Sequence, residues 1–244
     1  SNLVEIYFSA SDDLDSILAS FPQGDENLLN ATQMFSGLRL LTQDPWECLI
    51  SFVCSINCNI PSIKLKIENL SRRFGDEIES GLDCKWYSFP SPRSLARAEK
   101  RELLDCKVGF RWKYIKFIAK KVETGDLDLE KLSRLKYQEA LSELISEISG
   151  NTFGVGPKVA DCVLLYALHK TEAFPIDVWI LRCLKQYYRD LIKIRNCNSL
   201  TPKTYFELSE LMREKFGSCA GYAQLFLYAK MRHDAHATQG RSRA

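Results

Sequence analysis

Apolar side chains return every three or four positions along most of this chain. Ile63, Ile67, Leu70 and Phe74 keep that spacing, as do Tyr137, Leu141, Leu144 and Ile148, then Val159, Val163 and Tyr166, and later Leu181, Leu184, Tyr188 and Leu191. A repeat near 3.6 residues gathers each set on one face of a helix, so the chain reads as mainly α. Start signals agree: Asp44-Pro45-Trp46-Glu47 offers an N-cap, a proline for the first helical position and a glutamate placed for a capping box, ahead of the run CLISFVCSI. The acidic residues before DLDSILASF predict another helix. Only the opening run, LVEIYFSASDD, reads as a strand. A single strand is not stable without partners, so the chain reads as beginning inside a sheet it does not itself supply, with Ser1-Asn2 as a trimmed end. ETGDLDLEKL and IRNCNSLTPKT read as loops, and the final HDAHATQGRSRA, which lacks an apolar pattern, as a frayed tail.

Composition narrows the class. The 244 residues are 45% hydrophobic and 26% charged, ordinary for a globular protein of one large domain or two small lobes. No apolar run reaches the roughly 18 to 20 residues that span a bilayer, and no signal-peptide pattern opens the chain. An intracellular protein without membrane contact is expected, in the cytoplasm or nucleoid of a prokaryote or the nucleus of a eukaryote. The nine cysteines, an odd number scattered through predicted helices, suit reduced thiols and lack the clustered spacing of a zinc site or an iron-sulfur cluster. The net charge of +2 conceals an asymmetry: residues 1–60 carry one basic side chain, Arg39, against eight acidic ones, and the remainder carries 32 basic against 23 acidic. That later part is the one suited to meet a polyanion.

Two predicted helices, 137–149 and 157–168, bracket GNTFGVG. Gly150, Gly154 and Gly156 permit positive φ and close backbone approach, and Pro157 fits the first position of the second helix. A helix-hairpin-helix of this kind aims unpaired amides from a helix N-terminus, which favours a phosphate and grips nucleic-acid backbone without reading sequence. Lys158 stands against the positive end of that helix, an unfavourable place for a surface charge, and reads as a candidate amine nucleophile. The competing readings are a phosphate contact and a solvated charge. Asp177 precedes VWILRCLKQYY and reads equally well as the N-cap of that helix.

Five blocks in order, GLRLLTQDPWECLISFVCSINCNI, VGFRWKYI, GVGPKVADC, FPIDVW and GYAQLFLY, resemble the helix-hairpin-helix DNA glycosylases with a Gly-Pro-rich loop and catalytic aspartate, in particular the branch that removes 8-oxoguanine. The resemblance spans about residues 35–232. It implies a two-lobed helical fold in which the family's N-terminal β-sheet domain is mostly absent, residues 1–34 being its remnant with a connecting helix and 233–244 a flexible tail. It further implies base excision followed by strand cleavage, with Lys158 as nucleophile and Asp177 as catalytic carboxylate. Cys162 and Tyr228 would form the two faces of the slot for the oxidised base, Gln224 would bond its Watson-Crick edge, and Pro175 would complete the pocket. Asn57 would fill the gap left by the flipped base, Phe110 would wedge between base pairs, Arg111 would contact the estranged cytosine, and Gly154 and Gly156 would hold the DNA backbone. No metal or redox cofactor is implied. The expected partner is double-stranded DNA containing an oxidised guanine, met by a monomer.

Departures from the family pattern are informative. Thr152-Phe153 stands where Leu-Pro is usual, Trp179 and Met231 replace a histidine and its acidic partner, and Ser62 occupies the place of a second cytosine-reading arginine. Two other readings stay open: a glycosylase for alkylated bases, whose relatives lack the hairpin lysine, and a non-catalytic DNA-binding module in which Lys158 touches phosphate.

Overall fold

The computed structural model describes residues 2–79, 81, 85–149, 156–192 and 200–241. In chain order the helices are α1 (Asn2–Tyr7), α2 (Leu14–Ala19), α3 (Glu26–Met34), α4 (Pro45–Ser55), α5 (Ile60–Phe74), α6 (Pro92–Arg97), α7 (Lys100–Asp105), α8 (Trp112–Thr124), α9 (Leu129–Arg134), α10 (Tyr137–Ser149), α11 (Pro157–Tyr166), α12 (Val178–Tyr187), α13 (Arg189–Ile192), α14 (Pro202–Phe216) and α15 (Ala220–Arg241). Two short strands, β1 (Glu77–Ile78) and β2 (Trp86–Tyr87), pair antiparallel. The chain divides into two compact units, one of residues 44–163 and the other of residues 1–43 with 164–244.

In the 44–163 unit, local signals set the helix starts. Asp44 accepts a hydrogen bond from the Glu47 amide at 2.8 Å with Pro45 in the first turn, and Asn59 accepts from the Ser62 amide at 3.0 Å with Pro61 behind it. These caps satisfy amides that the first turn leaves unpaired. The apolar faces of α4, α5, α6, α7 and α8 bury Leu49, Ile50, Leu70, Leu95, Leu103 and Ile115 completely. The two hairpin helices are joined by a buried polar bond: the Tyr137 hydroxyl of α10 donates at 2.7 Å to Asp161 of α11, a carboxylate with no exposed surface.

In the other unit, α3, α12, α14 and α15 bury Leu28, Phe174, Ile180, Phe216 and Phe226. Asp25 caps α3 by accepting from the Leu28 amide at 3.1 Å, accepts from the Tyr188 hydroxyl at 3.1 Å and pairs with Lys215 Nζ at 3.0 Å. A carboxylate this deep requires such partners. Gly221 starts α15 where no side chain fits. A Cβ there would stand 2.3 Å from Leu165 Cδ1 and 3.0 Å from the carbonyl oxygens of Thr171 and Ala173. The close approach lets the Gly221 amide donate to the Thr171 carbonyl at 2.7 Å.

Three expectations are corrected. The opening run is the helix α1, not a strand. Leu3, Val4 and Ile6 are 81%, 60% and 51% exposed, and with no partner strand beside them among the described residues the backbone satisfies its own hydrogen bonds as a helical turn. The C-terminal segment is helical as far as the described residues go: α15 continues through Arg241, aided by the Lys230–Asp234 pair one turn apart at 2.7 Å and by an alanine-rich sequence. The stretch read as the loop ETGDLDLEKL ends in α9, which Asp128 caps by accepting from the Lys131 amide at 2.9 Å. The helices on either side of the glycine turn match the periodicity, with α11 ending at Tyr166 rather than 168.

Candidate functional site

Pro157 opens α11 and Lys158 is its second residue. Gly156 does not adopt positive φ. Its carbonyl accepts from the Val159 and Ala160 amides at 3.0 and 3.3 Å, so it acts as the helix start instead. Gly150 and Gly154 lie outside the described residues. Lys158 is half-buried, with Nζ 4.8 Å from the centroid of the Phe52 ring on α4. Cys162, one turn on, is buried, and Cys48 on α4 lies in the same electrostatic neighbourhood. Burial above all pushes the Cys48 thiol well above its ordinary pKa. Cys162, Asp44 and Glu47 add to the effect, and Lys158 opposes it. Phe52 and Cys48, four residues apart on one face of α4, give the amine an aromatic floor and a neutral thiol beside it. Neither was singled out by the sequence reading, although their spacing relative to the Asp44 cap was visible.

Asn57, Phe110 and Arg111 belong to the same unit and come together. Asn57 follows α4, is exposed and takes φ +47°, a left-handed conformation that asparagine tolerates. Phe110 is 50% exposed on the 3₁₀ turn Gly109–Arg111, unusual for a large apolar side chain. Arg111 is buried instead of reaching outward. Its Nε donates to the Ile56 carbonyl at 3.0 Å, Nη2 to Ile56 and, at 3.3 Å, to Asn57, and Nη1 to Val108 at 3.2 Å. Its Cζ lies 4.5 Å from the Phe110 ring centroid. The residue expected to contact a base thus occupies its guanidinium with main-chain carbonyls and ties the Asn57 turn to the Phe110 turn.

In the second unit, Asp177 is the N-cap of α12: its Oδ1 accepts from the Trp179 and Ile180 amides at 2.9 and 2.8 Å. Among the described residues the other oxygen, Oδ2, makes no hydrogen bond, which leaves a carboxylate fixed by one atom and open at the second. Gln224 is 4% exposed. Its Nε2 donates to the Pro175 carbonyl at 3.1 Å, and its Oε1 accepts from the Tyr166 hydroxyl at 3.3 Å. Tyr228, one turn later on α15, is half-buried. Tyr166 entered the sequence reading only as part of the apolar repeat with Val159 and Val163, yet Lys158, Cys162 and Tyr166 stand four apart and share one face of α11, the signal that could have placed it at the site.

Comparison with known proteins adds to this geometry. The family described as 8-oxoguanine DNA glycosylase, N-terminal domain, matches residues 1–49, and that described as HhH-GPD superfamily base excision DNA repair protein matches residues 50–210. The chain is 34% identical over 224 residues to a probable N-glycosylase/DNA lyase of Methanothermobacter thermautotrophicus, covering 84% of this chain and 66% of that protein. Among solved structures it resembles MBOgg1 in complex with a low-affinity DNA ligand, with TM-score 0.83 and 36% identity over 96% of this chain and 75% of the other. It also resembles the apo 8-oxoguanine glycosylase/lyase of Clostridium acetobutylicum, with TM-score 0.81 and 33% identity over 93% and 74%. The chain spans 57 to 66% of the length of the curated N-glycosylase/DNA lyases it matches.

Proposed function

Because the chain belongs to the HhH-GPD superfamily of base excision DNA repair proteins, we propose that it is a bifunctional DNA N-glycosylase/AP lyase that removes 8-oxoguanine from double-stranded DNA. The observation that carries this reading is Lys158, a half-buried amine in the first turn of α11, in a chain whose structural neighbours include an 8-oxoguanine glycosylase/lyase.

The flipped nucleotide brings C1′ of its sugar to the lysine. The amine attacks C1′, the bond from C1′ to N9 of the base breaks, and the base leaves with a proton. The open oxygen of Asp177 faces the positive charge that develops on the sugar, while Oδ1 keeps the carboxylate aimed through the first amides of α12. Collapse of the sugar ring gives a Schiff base on Nζ. That cation acidifies the C2′ proton, and its removal expels the 3′ phosphate and cuts the strand. Gln224, already polarised between Tyr166 and Pro175, would bond the edge of the excised base, with Cys162 and Tyr228 on its faces. Asn57 would fill the vacated position, with Phe110 as the wedge and Arg111 holding both turns in place. Gly154 and Gly156 would offer amides to the DNA backbone. The protein acts as an intracellular monomer, and among the described residues no helix is long and apolar enough to cross a membrane.

Borohydride trapping on a duplex carrying 8-oxoguanine tests the reading, because only a Schiff base is reduced to a stable covalent adduct. The wild-type protein should be trapped and should cut the strand. Lys158→Gln should do neither while still binding duplex, and normal excision by that variant would overturn the assignment.

A further inference from the structure

Trp179 lies in the first turn of α12, and two guanidinium groups from different helices converge on its ring. Arg182 Cζ, from the next turn of α12, is 4.9 Å from the ring centroid, and Arg232 Cζ, from α15, is 5.1 Å away. Like charges gathered around one ring repel each other, and surface arginines usually relieve that repulsion with carboxylates. Here neither does. Among the described residues Arg182 makes no ion pair, and the one polar neighbour of Arg232 is His236 at 3.4 Å. Lys185 opens onto the same cleft. Among the described residues the one carboxylate lining the cleft, Asp234, is taken by Lys230 at 2.7 Å. The cleft between α12 and α15 has a volume of about 560 Å³, within the range of sites that hold small groups, and Trp179, Tyr187 and Met231 complete its walls.

The chemistry that this cluster accepts follows from its parts. The ring face holds each guanidinium by its quadrupole and shields the flat side of the ion from water, while leaving the N–H edges free. Preorganised forks of that kind match the paired oxygens of a phosphate and give shorter, stronger bonds than neutral donors do. Among the described residues the carboxylate on this cleft, Asp234, is already paired with Lys230.

We propose that the Arg182–Trp179–Arg232 cluster is a phosphodiester-binding subsite, gripping the backbone of the DNA strand independently of the hairpin amides. The inference rests on the reading of the chain as a DNA repair enzyme. The cluster lies two residues beyond Asp177, so a phosphate held there braces the strand beside the carboxylate proposed to act on the sugar. It also gives Trp179 a role that an apolar replacement of a polar pair would lack. The ring is a platform that organises two cations.

The test uses the whole chain and an undamaged duplex, with affinity measured from low to moderate salt for the wild type, Arg182→Gln, Arg232→Gln and the double variant. Each phosphate left ungripped should lower the slope of log affinity against log salt by about 1, so the double variant, which releases the one phosphate held by the cluster, should lose about 1 from its slope, and each single variant should lose part of that. Arg182→Lys should keep part of the slope and lose affinity, since an ammonium has charge without the fork. Arg182 is exposed, so its substitution leaves the core untouched, and thermal unfolding checks each variant. Unchanged affinity and slope in the double variant would overturn the proposal. Absence of borohydride trapping with the same fall in slope would instead leave the subsite standing and remove the glycosylase reading.

Discussion

Tyr137 donates its hydroxyl to Asp161 at 2.7 Å, and this bond joins the helices on the two sides of the glycine turn where neither group meets solvent. Tyr137→Phe removes the donor and keeps the ring. A buried acceptor that loses a partner costs about 1–3 kcal/mol, more when it carries charge. Urea unfolding should therefore give a lower midpoint for the variant. Because Asp161 lies three residues beyond Lys158, trapping should slow as well. An unchanged midpoint would mean that water or another donor replaces the hydroxyl.

Asp177 combines two roles that substitution can separate. Asp177→Asn keeps an oxygen to accept from the Trp179 and Ile180 amides and removes the negative charge, so excision should fall by orders of magnitude with the fold intact. Asp177→Ala should in addition destabilise the protein by about 1 kcal/mol through the lost cap. Single-turnover excision alongside thermal unfolding measures both. Equal activity in the wild type and Asp177→Asn would reduce Asp177 to a helix cap.

Selectivity for the base opposite the lesion should be weak. Ser62 offers a single hydroxyl where the resemblance leads one to expect an arginine, and the guanidinium of Arg111 is occupied by the carbonyls of Ile56, Asn57 and Val108. One good base contact is worth roughly 1–3 kcal/mol of discrimination, or on the order of tenfold to a hundredfold. Excision on four duplexes that differ only in the opposing base should span a narrow range, and Ser62→Arg should widen it in favour of cytosine. A strong cytosine preference that Ser62→Arg leaves unaltered would assign the reading to another residue.

Alkaline pH should destabilise the protein through its buried thiols. Burial raises Cys54 and Cys183 from their ordinary value of 9.0 to about 12. Between those limits the unfolded chain has lost both protons and the folded protein keeps them. Stability is thus full below pH 9 and falls as pH rises, by about 1.4 kcal/mol per pH unit for each thiol. Urea denaturation between pH 8 and 10 should show this slope, to which the buried Cys48 thiol, raised in the same direction, adds its own share, and Cys183→Ala should reduce the slope by one thiol's contribution. Tyr188 and Tyr222, also raised by burial, add to the fall only above their ordinary value of 10.0. A flat profile from pH 8 to 10 would contradict the assignment.

Much of this was legible in the sequence where one interaction decided the outcome. The Asp44 cap, the bounds of α10, the start of α11 and the place of Lys158 all follow from local spacing and from proline and glycine positions. Other features depend on partners distant in the chain. Whether LVEIYF is a strand or a helix turns on the presence of a neighbouring strand, which no local pattern reports. The family resemblance alone places Arg111 at the estranged cytosine, and its burial arises from carbonyls 55 and 54 residues away, beyond the reach of any local pattern. The cations around Trp179 come from α12 and α15, whose adjacency only the folded chain reveals.

The grip of Arg111 has one further consequence. Its fork holds main-chain oxygens, which every residue type supplies, and no side chain of the turn it steadies. Position 57 is therefore an interchangeable tip on a fixed mount. Exchanging Asn57 for another residue that accepts left-handed backbone changes what is presented to the helix gap without changing where it is presented. Selection, or an engineer, can retool that tip while its aim stays constant.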